Sequence, residues 1–410
     1  MKKQNLKKQD KKRVRPIIIF AIVFLSLLLI AGIILGTVAI VRNARAVVKY
    51  DGVYIDEGVT NYLAATFKSN YLAILQRDMG VDAFDDSLFW NSEAEGGTTY
   101  ADMLERETLS YIKSVAVGAY LFDRVSSLTS AEKKAVKKSC QDFLDLNFSS
   151  DEDRFNDEAA SMNFDYDDMC DATMLIYKAG LATRAIYGES GNTLKNSGST
   201  ADLEYVLSQY THVGILIIRN DTEYLIDSEG KRVEVEGKDQ VYELSSAEKA
   251  ERASDIARIR ELITGYENDL DVQMSPVAFE NYLKKYDYGY DYTESGYYFS
   301  PLSEYTAWFD KNEAEGVVEA AFEMEMGEYR ELDLGFATCF LYKYEPVAGA
   351  YLNSSLSGFF TDFYSDGALY LYSRAVAELT PEVTVKDRFY DIDLVNLPYN
   401  WELVVRVSED

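Results

Sequence analysis

The sequence predicts an α+β protein: an N-terminal transmembrane helix, a long helical region, a compact stretch mixing strands with helices, and a further helix towards the C-terminus. Three features predict it. Twenty-five uncharged residues, Ile17 to Val41, follow a basic tail. Caps, breakers and, over about Tyr100 to Ser126, apolar residues at mixed three- and four-residue spacing then mark the region from 50 to about 190 as helical. From Tyr205 the texture changes to β-branched and aromatic runs that alternate with helical ones until Pro346.

The membrane span comes first. Lys2, Lys3, Lys7, Lys8, Lys11, Lys12, Arg13 and Arg15 precede it, and at about 1.5 Å per residue a helix over 17–41 reaches roughly 37 Å, more than the ~30 Å hydrocarbon core of a bilayer. The basic flank stays inside, so the tail 1–16 is expected in the cytoplasm and everything beyond Arg42 outside it. The apolar stretch exceeds the core of a secretory signal, and no cysteine follows it to take a lipid. Ala44-Arg45-Ala46 has the small-x-small form of a signal-peptidase site, so cleavage after Ala46 is the alternative to a retained anchor. Gly32 and Gly36 form a GxxxG pair through which two spans can pack as a dimer.

Charge narrows the function. The formal −28 contains +7 from the first 16 residues, so the remainder carries −35. Such a field disfavours nucleic acid and anionic lipid surfaces as partners and favours basic or unfolded polypeptides. With 47% apolar residues and six prolines the chain can bury a large core, and its length suggests two domains. One histidine leaves no material for a zinc site or a Ser-His-Asp triad, and no P-loop, GxSxG, HExxH or GxGxxG pattern occurs. Neither cofactor nor metal is expected. Three cysteines cannot all pair within one chain: Cys140 and Cys170 can bridge two helices, or all three are buried free thiols.

In chain order, Val47 to Ile55 reads as a short strand with a turn at Asp51-Gly52, and Asp56 caps a helix to about Gln76. Further helices are expected over about Tyr100 to Ser126, from the capping box Thr129-Ser130-Ala131-Glu132 to about Leu146, and over about Tyr166 to Tyr187 before Gly188. Tyr210 to Arg219 is a strand, and Thr222 to Val235 holds two short ones about Ser228-Glu229-Gly230. A second capping box, Ser245-Ser246-Ala247-Glu248, opens a helix to about Ile263, before Gly265, with Ile256, Ile259 and Ile263 inward. Pro276 starts a shorter one to about Tyr286. A Tyr-rich loop, an aromatic strand at Gly296-Tyr297-Tyr298-Phe299, a helix ending at Met326 before Gly327, and strands near Tyr329 to Leu334 and Phe336 to Tyr344 complete the order β, α, α, β, α, β, β. Beyond Pro346 a helix is expected over about Tyr351 to Leu379, then short strand-like runs to Val407.

That order and several local strings resemble the parvulin, or rotamase, domain of the PrsA and SurA family of exported foldases. Val317-Val318-Glu319-Ala320-Ala321-Phe322-Glu323-Met324-Glu325-Met326-Gly327-Glu328 resembles the family's FEEAAF-x-L-x-x-GE segment; Gly214-Ile215-Leu216-Ile217 resembles its first strand, HILI; Cys339-Phe340-Leu341-Tyr342-Lys343 resembles YHIIK in the last. The resemblance covers about 206–346. It implies an antiparallel-sheet domain inserted into a helical, SurA-N-like chaperone region, with a C-terminal helix docking back on that region: tail 1–16, anchor 17–41, helical region 42–204, parvulin-like domain 205–346, closing segment 347–410.

Parvulins share a pair of core histidines and a nearby Asp or Cys around a proline pocket, and here the histidine positions read Gly214 and Phe340. The candidates that remain for a catalytic role are His212, two residues before Gly214 on the same strand face; Asp287, in the loop where the family carries its acidic or thiol residue; and Cys339, which a one-residue shift of the last strand would put in place of the second histidine. Phe299, Phe322 and Phe340 are candidate walls of a peptide site, and Tyr288 and Tyr290 in the Tyr-rich loop could grip an extended segment. The resemblance therefore implies a membrane-anchored extracytoplasmic chaperone for unfolded or proline-containing exported polypeptides, its peptidyl-prolyl isomerase centre weak or inactive. A non-catalytic scaffold of a cell-envelope assembly is the alternative.

Overall fold

A computed structural model describes residues 43–79, 87–94, 96–228, 233–235, 238–264, 274–286, 296–300, 316–354, 356, 360, 362–398 and 405. The expected span 17–41 with Gly32 and Gly36 lies outside them, as do Glu229, Gly230, Gly265, the Tyr-rich loop and most of 399–410. Among the described residues no helix is long and apolar enough to cross a membrane.

The first strands of the described residues form a hairpin, β1 (Val48–Tyr50) and β2 (Val53–Ile55), paired antiparallel with Val48 opposite Ile55. Its turn puts Gly52 at φ 94°, a conformation costly for any other residue. Asp56 then caps α1 (Glu57–Met79), its carboxylate accepting the Val59 amide at 3.2 Å. From Val59 to Ser69 this helix is buried on almost every side. The short α2 (Ser87–Trp90) delivers Trp90 to the core.

Two longer helices, α3 (Tyr100–Val125) and α4 (Ser130–Phe148), both start at reciprocal capping boxes, Thr99 with Asp102 and Thr129 with Glu132. Hydrogen bonds from the cap residues hold both carboxyls below their ordinary range. An unanticipated eight-residue helix, α5 (Glu152–Ala159), follows and buries Phe155 and Ala159. Then comes α6 (Tyr166–Tyr187), stopped where Gly188 turns to φ 79°.

Next are two short helices that the periodicity had not shown, α7 (Asn192–Ser197) and α8 (Thr200–Leu207), and the long strand β3 (Thr211–Arg219). Four small strands follow: β4 (Thr222–Tyr224), β5 (Glu234–Val235), β6 (Lys238–Asp239) and β7 (Val241–Glu243). β4 pairs with β7 and β5 with β6, and the Val233 amide donates to the Leu225 carbonyl at 2.8 Å. Every residue of β7 is exposed, so that strand offers no alternation from which register can be read.

The helices α9 (Ser246–Thr264) and α10 (Pro276–Tyr286) lead to β8 (Tyr297–Phe299), α11 (Val317–Glu323), β9 (Tyr329–Asp333) and β10 (Ala337–Tyr344). Here α11 ends at Glu323 rather than Met326, because Met324 turns extended and buries its side chain against the sheet. Gly327 still takes φ 80°, in the turn where its amide donates to the Lys343 carbonyl. β8, β3, β10 and β9 form one sheet in that spatial order, every neighbouring pair antiparallel.

The helix expected from Tyr351 begins later. Ala350–Leu352 is a single 3₁₀ turn, and α12 (Phe363–Leu379) starts only after a stretch rich in Asn, Ser and Gly, residues that favour caps and turns over helix interiors. β11 (Thr384–Val385) closes the described fold by pairing with β1, Val385 opposite Val48.

Two compact units result: Met1–Ile186 with Tyr372–Asp410, and Tyr187–Leu371. Within the first, the second half of α12 packs on the helical core through Ala375, Val376 and Leu379. Gly118 of α3 makes room for it, since a Cβ there would lie 2.6 Å from the Tyr372 hydroxyl and 2.7 Å from Ala179 Cβ. At the start of α6, Asp168 lies against Gly58 in the first turn of α1, and burial, with Asp165 and Asp56 near it, pushes its carboxyl up to about 6.

Gly118→Val is expected to destabilise the full chain by about 1–3 kcal/mol in urea unfolding, whereas Gly180→Ala on α6, where a new Cβ meets nothing within 4 Å, should be neutral or slightly stabilising. Asp168 has a folded pKa above its unfolded value of about 3.9, so it favours the fold when protonated. Its contribution should fall as pH rises from about 4 to 6, and Asp168→Asn should remove that part of the pH dependence when unfolding midpoints at pH 4.5 and 7 are compared.

Candidate functional site

The sheet of the second unit positions the residues singled out by the sequence, and strand alternation decides which of them can meet. On β3 the even-numbered residues His212, Gly214, Leu216 and Ile218 share one face. The register places Tyr298, Tyr344, Tyr342 and Phe340 on it as well, through the pairs His212 with Tyr298 and Tyr344, Gly214 with Tyr342, and Leu216 with Phe340. The odd-numbered Val213, Ile215, Cys339 and Leu341 form the other face, packed under Val317, Ala320 and Ala321 of α11.

His212 is 3% exposed. Its ring lies flat on Tyr298, centroids 4.2 Å apart at 8°, and Tyr344 leans against it at 4.9 Å. Nδ1 is 2.8 Å from the Glu345 carbonyl, which can only accept, so this nitrogen carries the proton. Gly296, at φ 73°, brings the chain past the ring; a Cβ would sit 3.1 Å from Nε2.

Beside it, the space over Gly214 is filled. A Cβ would lie 2.8 Å from Tyr344 Cε2 and 3.0 Å from Phe279 Cε1. Tyr342 stands edge-on to Tyr344 at 4.7 Å and close to Tyr329 at 4.4 Å, and Phe279 of α10 meets Tyr329 at 5.7 Å. The Tyr329 hydroxyl donates to the Met274 carbonyl at 2.9 Å, while burial drives its acidity down. Phe340, fully buried, packs with Ile256, Ile259 and Leu283 of the covering helices. The two positions where the resemblance implies histidines are thus a glycine under two aromatic rings and a phenylalanine sealed beneath helices.

The other candidates fall elsewhere. Cys339 faces away from His212, opposite Ile217, and complete burial pushes its thiol up to about 12, so it cannot stand in for the second histidine. Phe299 is half-buried and stacked on Tyr297 on the odd face. Phe322 is half-buried on α11, its ring 6.0 Å from the Lys343 ammonium, which donates to the Ala321 carbonyl. Phe299 and Phe322 are therefore separated from Phe340 by the sheet, and the three do not line one pocket. Asp287, Tyr288 and Tyr290 lie outside the described residues. Tyr342 and Tyr344 were legible by the period of two from Phe340; Tyr298 required the pairing of β8 with β3, and Phe279 and Tyr329 the packing of α10 and the pairing of β9.

In the first unit, a cavity of about 260 Å³ is lined by Glu57, Asn61, Asn163, Arg388, Asp391 and Leu397 among others. Arg388 lies 4.0 Å from Glu57, and the Asn61 amide donates to the Asn163 carbonyl. Among the described residues no group of three His, Cys, Asp or Glu side chains could hold a metal ion.

No family model matches the chain, and no curated protein matches it. Among solved structures it is similar to PrsA from Bacillus subtilis, at 13% identity over 71% of this chain and 90% of that one with a TM-score of 0.16. The foldase protein PrsA from Lactococcus lactis matches at 12% identity over 72% and 95%, with a TM-score of 0.17. The foldase protein PrsA from Streptococcus pneumoniae matches at 10% over 74% and 98%, with a TM-score of 0.18.

Because Gly214 and the rings above it fit only each other, Gly214→Ala should cost about 1–3 kcal/mol through overpacking. Tyr344→Ala should also destabilise, through the cavity it leaves, but adding Gly214→Ala to it should cost less than in the wild type. A double-mutant cycle by urea unfolding measures that coupling.

Proposed function

We propose that this protein is a membrane-anchored extracytoplasmic chaperone that binds unfolded or proline-containing exported polypeptides, and that its sheet domain is a parvulin-like module without an effective isomerase centre. The basic tail and 25-residue apolar span support the anchored topology, and the −35 beyond them supports basic or unfolded clients. With the small strands β4 to β7 set aside, the order β3, α9, α10, β8, α11, β9, β10 matches the β, α, α, β, α, β, β that supports the parvulin-like reading.

One observation carries the catalytic half of the reading: Tyr344 and Phe279 occupy the space a side chain at Gly214 would need. Prolyl isomerisation crosses a barrier of about 18–20 kcal/mol by twisting an amide, so a catalyst must offer an apolar slot and oriented hydrogen bonds to the twisted form. Here the slot is filled by protein rings. His212 is stacked between tyrosines and commits Nδ1 to a backbone carbonyl, which leaves that nitrogen nothing to offer a substrate amide.

The full chain in detergent micelles, assayed on a proline-containing peptide, should leave the cis–trans rate at its uncatalysed value while still slowing aggregation of a chemically unfolded protein. A rate well above background that falls in His212→Ala would overturn the catalytic half. Failure to delay aggregation at several-fold excess would overturn the chaperone half.

A further inference from the structure

The cavity of the helical unit is built from three separate segments, and the function proposed above gives it no role. α1 contributes Glu57 and Asn61, the turn after α5 contributes Ser161, Met162 and Asn163, and the C-terminal segment contributes Arg388 with residues 391–393 and 396–398. Asn163 closes its turn at φ 59°, a left-handed conformation that asparagine tolerates better than most residues. Met162 and Leu397 are buried while Asn163, Asp391 and Pro398 are exposed, so the cavity is lined by apolar groups in its depth and reaches solvent.

Its hydrogen bonds decide what it can hold. Each side chain on the wall that can donate already has an acceptor. The Ser161 hydroxyl donates to the Glu158 carbonyl at 3.2 Å, the Asn61 amide to the Asn163 carbonyl at 3.2 Å, the Asn163 amide to Glu57 at 3.1 Å and the Asn396 amide to Asp393 at 2.8 Å. Arg388 donates to the Ala44 carbonyl at 2.7 Å and lies 4.0 Å from Glu57. What remains are acceptors. Among the described residues neither the Asp391 carboxylate nor Asn61 Oδ1 has a hydrogen-bond partner, and Asn61 is only 3% exposed, so a donor entering the cavity is the partner its oxygen lacks. Charge points the same way. The carboxylates of Glu57, Asp391 and Asp393 outnumber the two cations at the wall, Arg388 and the Lys68 ammonium on the Val395 and Leu397 carbonyls.

We propose that this cavity receives one basic side chain, lysine or arginine, of a bound polypeptide: the charged head donates to Asp391 and to Asn61 Oδ1, and the aliphatic stem lies along Met162, Ile392 and Leu397. A volume of about 260 Å³ is just below the roughly 300–1,000 Å³ of sites for drug-sized ligands, which suits a single long side chain. The chemistry recognised is an ammonium or guanidinium on a short apolar stem, and taking it from an extended client chain rests on the chaperone reading above. Under that reading the acidic field gathers chains without regard to sequence, and the cavity favours those that carry lysine or arginine.

The full chain in non-ionic detergent micelles is titrated into a peptide of Gly, Ser and Gln with blocked ends, a neutral dye and one central lysine, and binding is read by fluorescence anisotropy. The lysine peptide and its arginine counterpart should both bind, and acetylation of the lysine should abolish binding. Asp391→Asn should weaken binding about tenfold, the size of one hydrogen bond to a charged group, with the thermal midpoint unchanged. Glu105→Gln, which removes the same charge from an exposed position of α3 that does not line the cavity, should leave binding as it was. No binding of either basic peptide, equal binding of the acetylated one, wild-type binding in Asp391→Asn, or equal weakening in both variants would overturn the proposal. So would free butylamine binding as tightly as the peptide and displacing it, which would make the cavity a site for small amines. The delay of aggregation is measured separately, so the chaperone reading can fail while the cavity binds lysine, and the reverse.

Discussion

The helical unit depends on a cation buried in its central helix. Lys68 is 1% exposed on α1, and its ammonium is met by the carbonyls of Val395 and Leu397, both at 2.8 Å, with Trp90 beneath it at 5.5 Å. Removing an ammonium from water costs several kcal/mol unless partners replace the lost hydration. Two of those partners lie 327 and 329 residues further along the chain. α1 therefore reaches its final burial only when the C-terminal segment is in place. The pairing of β11 with β1 and the fit of Tyr372 against Gly118 and Ala179 demand the same closure. Loop entropy rises only slowly with length, so a long intervening segment does not forbid this arrangement, and a segment that folds by itself shortens the effective loop further. Contacts of such sequence separation form slowly.

The second unit shows a different trade. An aromatic face on a sheet can be a ligand surface or a core, and the choice turns on what stands above it. Here α9 and α10 cover one end of the face, and Tyr342, Tyr344 and Phe279 meet over a position without a side chain. Each aromatic pair is worth about 0.5–1.5 kcal/mol beyond the area it buries, and a glycine in a strand costs up to about 1 kcal/mol relative to alanine. Filling the face with interlocked rings is thus favourable for stability, and it leaves no open polar pocket over Gly214. His212 fits the same logic: its stacked ring and satisfied Nδ1 are what a buried strand histidine requires.

What the sequence made legible follows from where local chemistry fixes an element. The turn at Asp51-Gly52, the caps Asp56, Thr129 and Ser245, Pro276 at a first turn and Gly188 at an end mark helices and strands to within a few residues. α5, α7 and α8 have eight residues or fewer, too short for apolar periodicity to emerge. The end of α11 was missed because Met324 is drawn out of the helix by tertiary burial, which no propensity records. At the site, alternation along β3 correctly joins His212 to Gly214. The grouping of Phe299, Phe322 and Phe340 failed because residue type reveals hydrophobicity, not which side of a sheet a flanking helix covers.

The buried cations also explain how a chain with 41 basic and 69 acidic residues presents its charge. Lys68, Arg252 and Lys343 are each under 10% exposed, and each is turned inward. Arg252 pairs with buried Glu223 at 2.6 Å and donates to the Arg219 carbonyl at the end of β3; Lys343 donates to the Ala321 carbonyl near the end of α11. Cations spent on carbonyls at the ends of segments fix where those segments stop, but they no longer screen the carboxylates outside. The chain beyond residue 16 carries −35, and a field of that sign falls off over about 8–10 Å at moderate salt. Under the function proposed above, a field of that sign would favour basic, extended chains without fixing any one sequence.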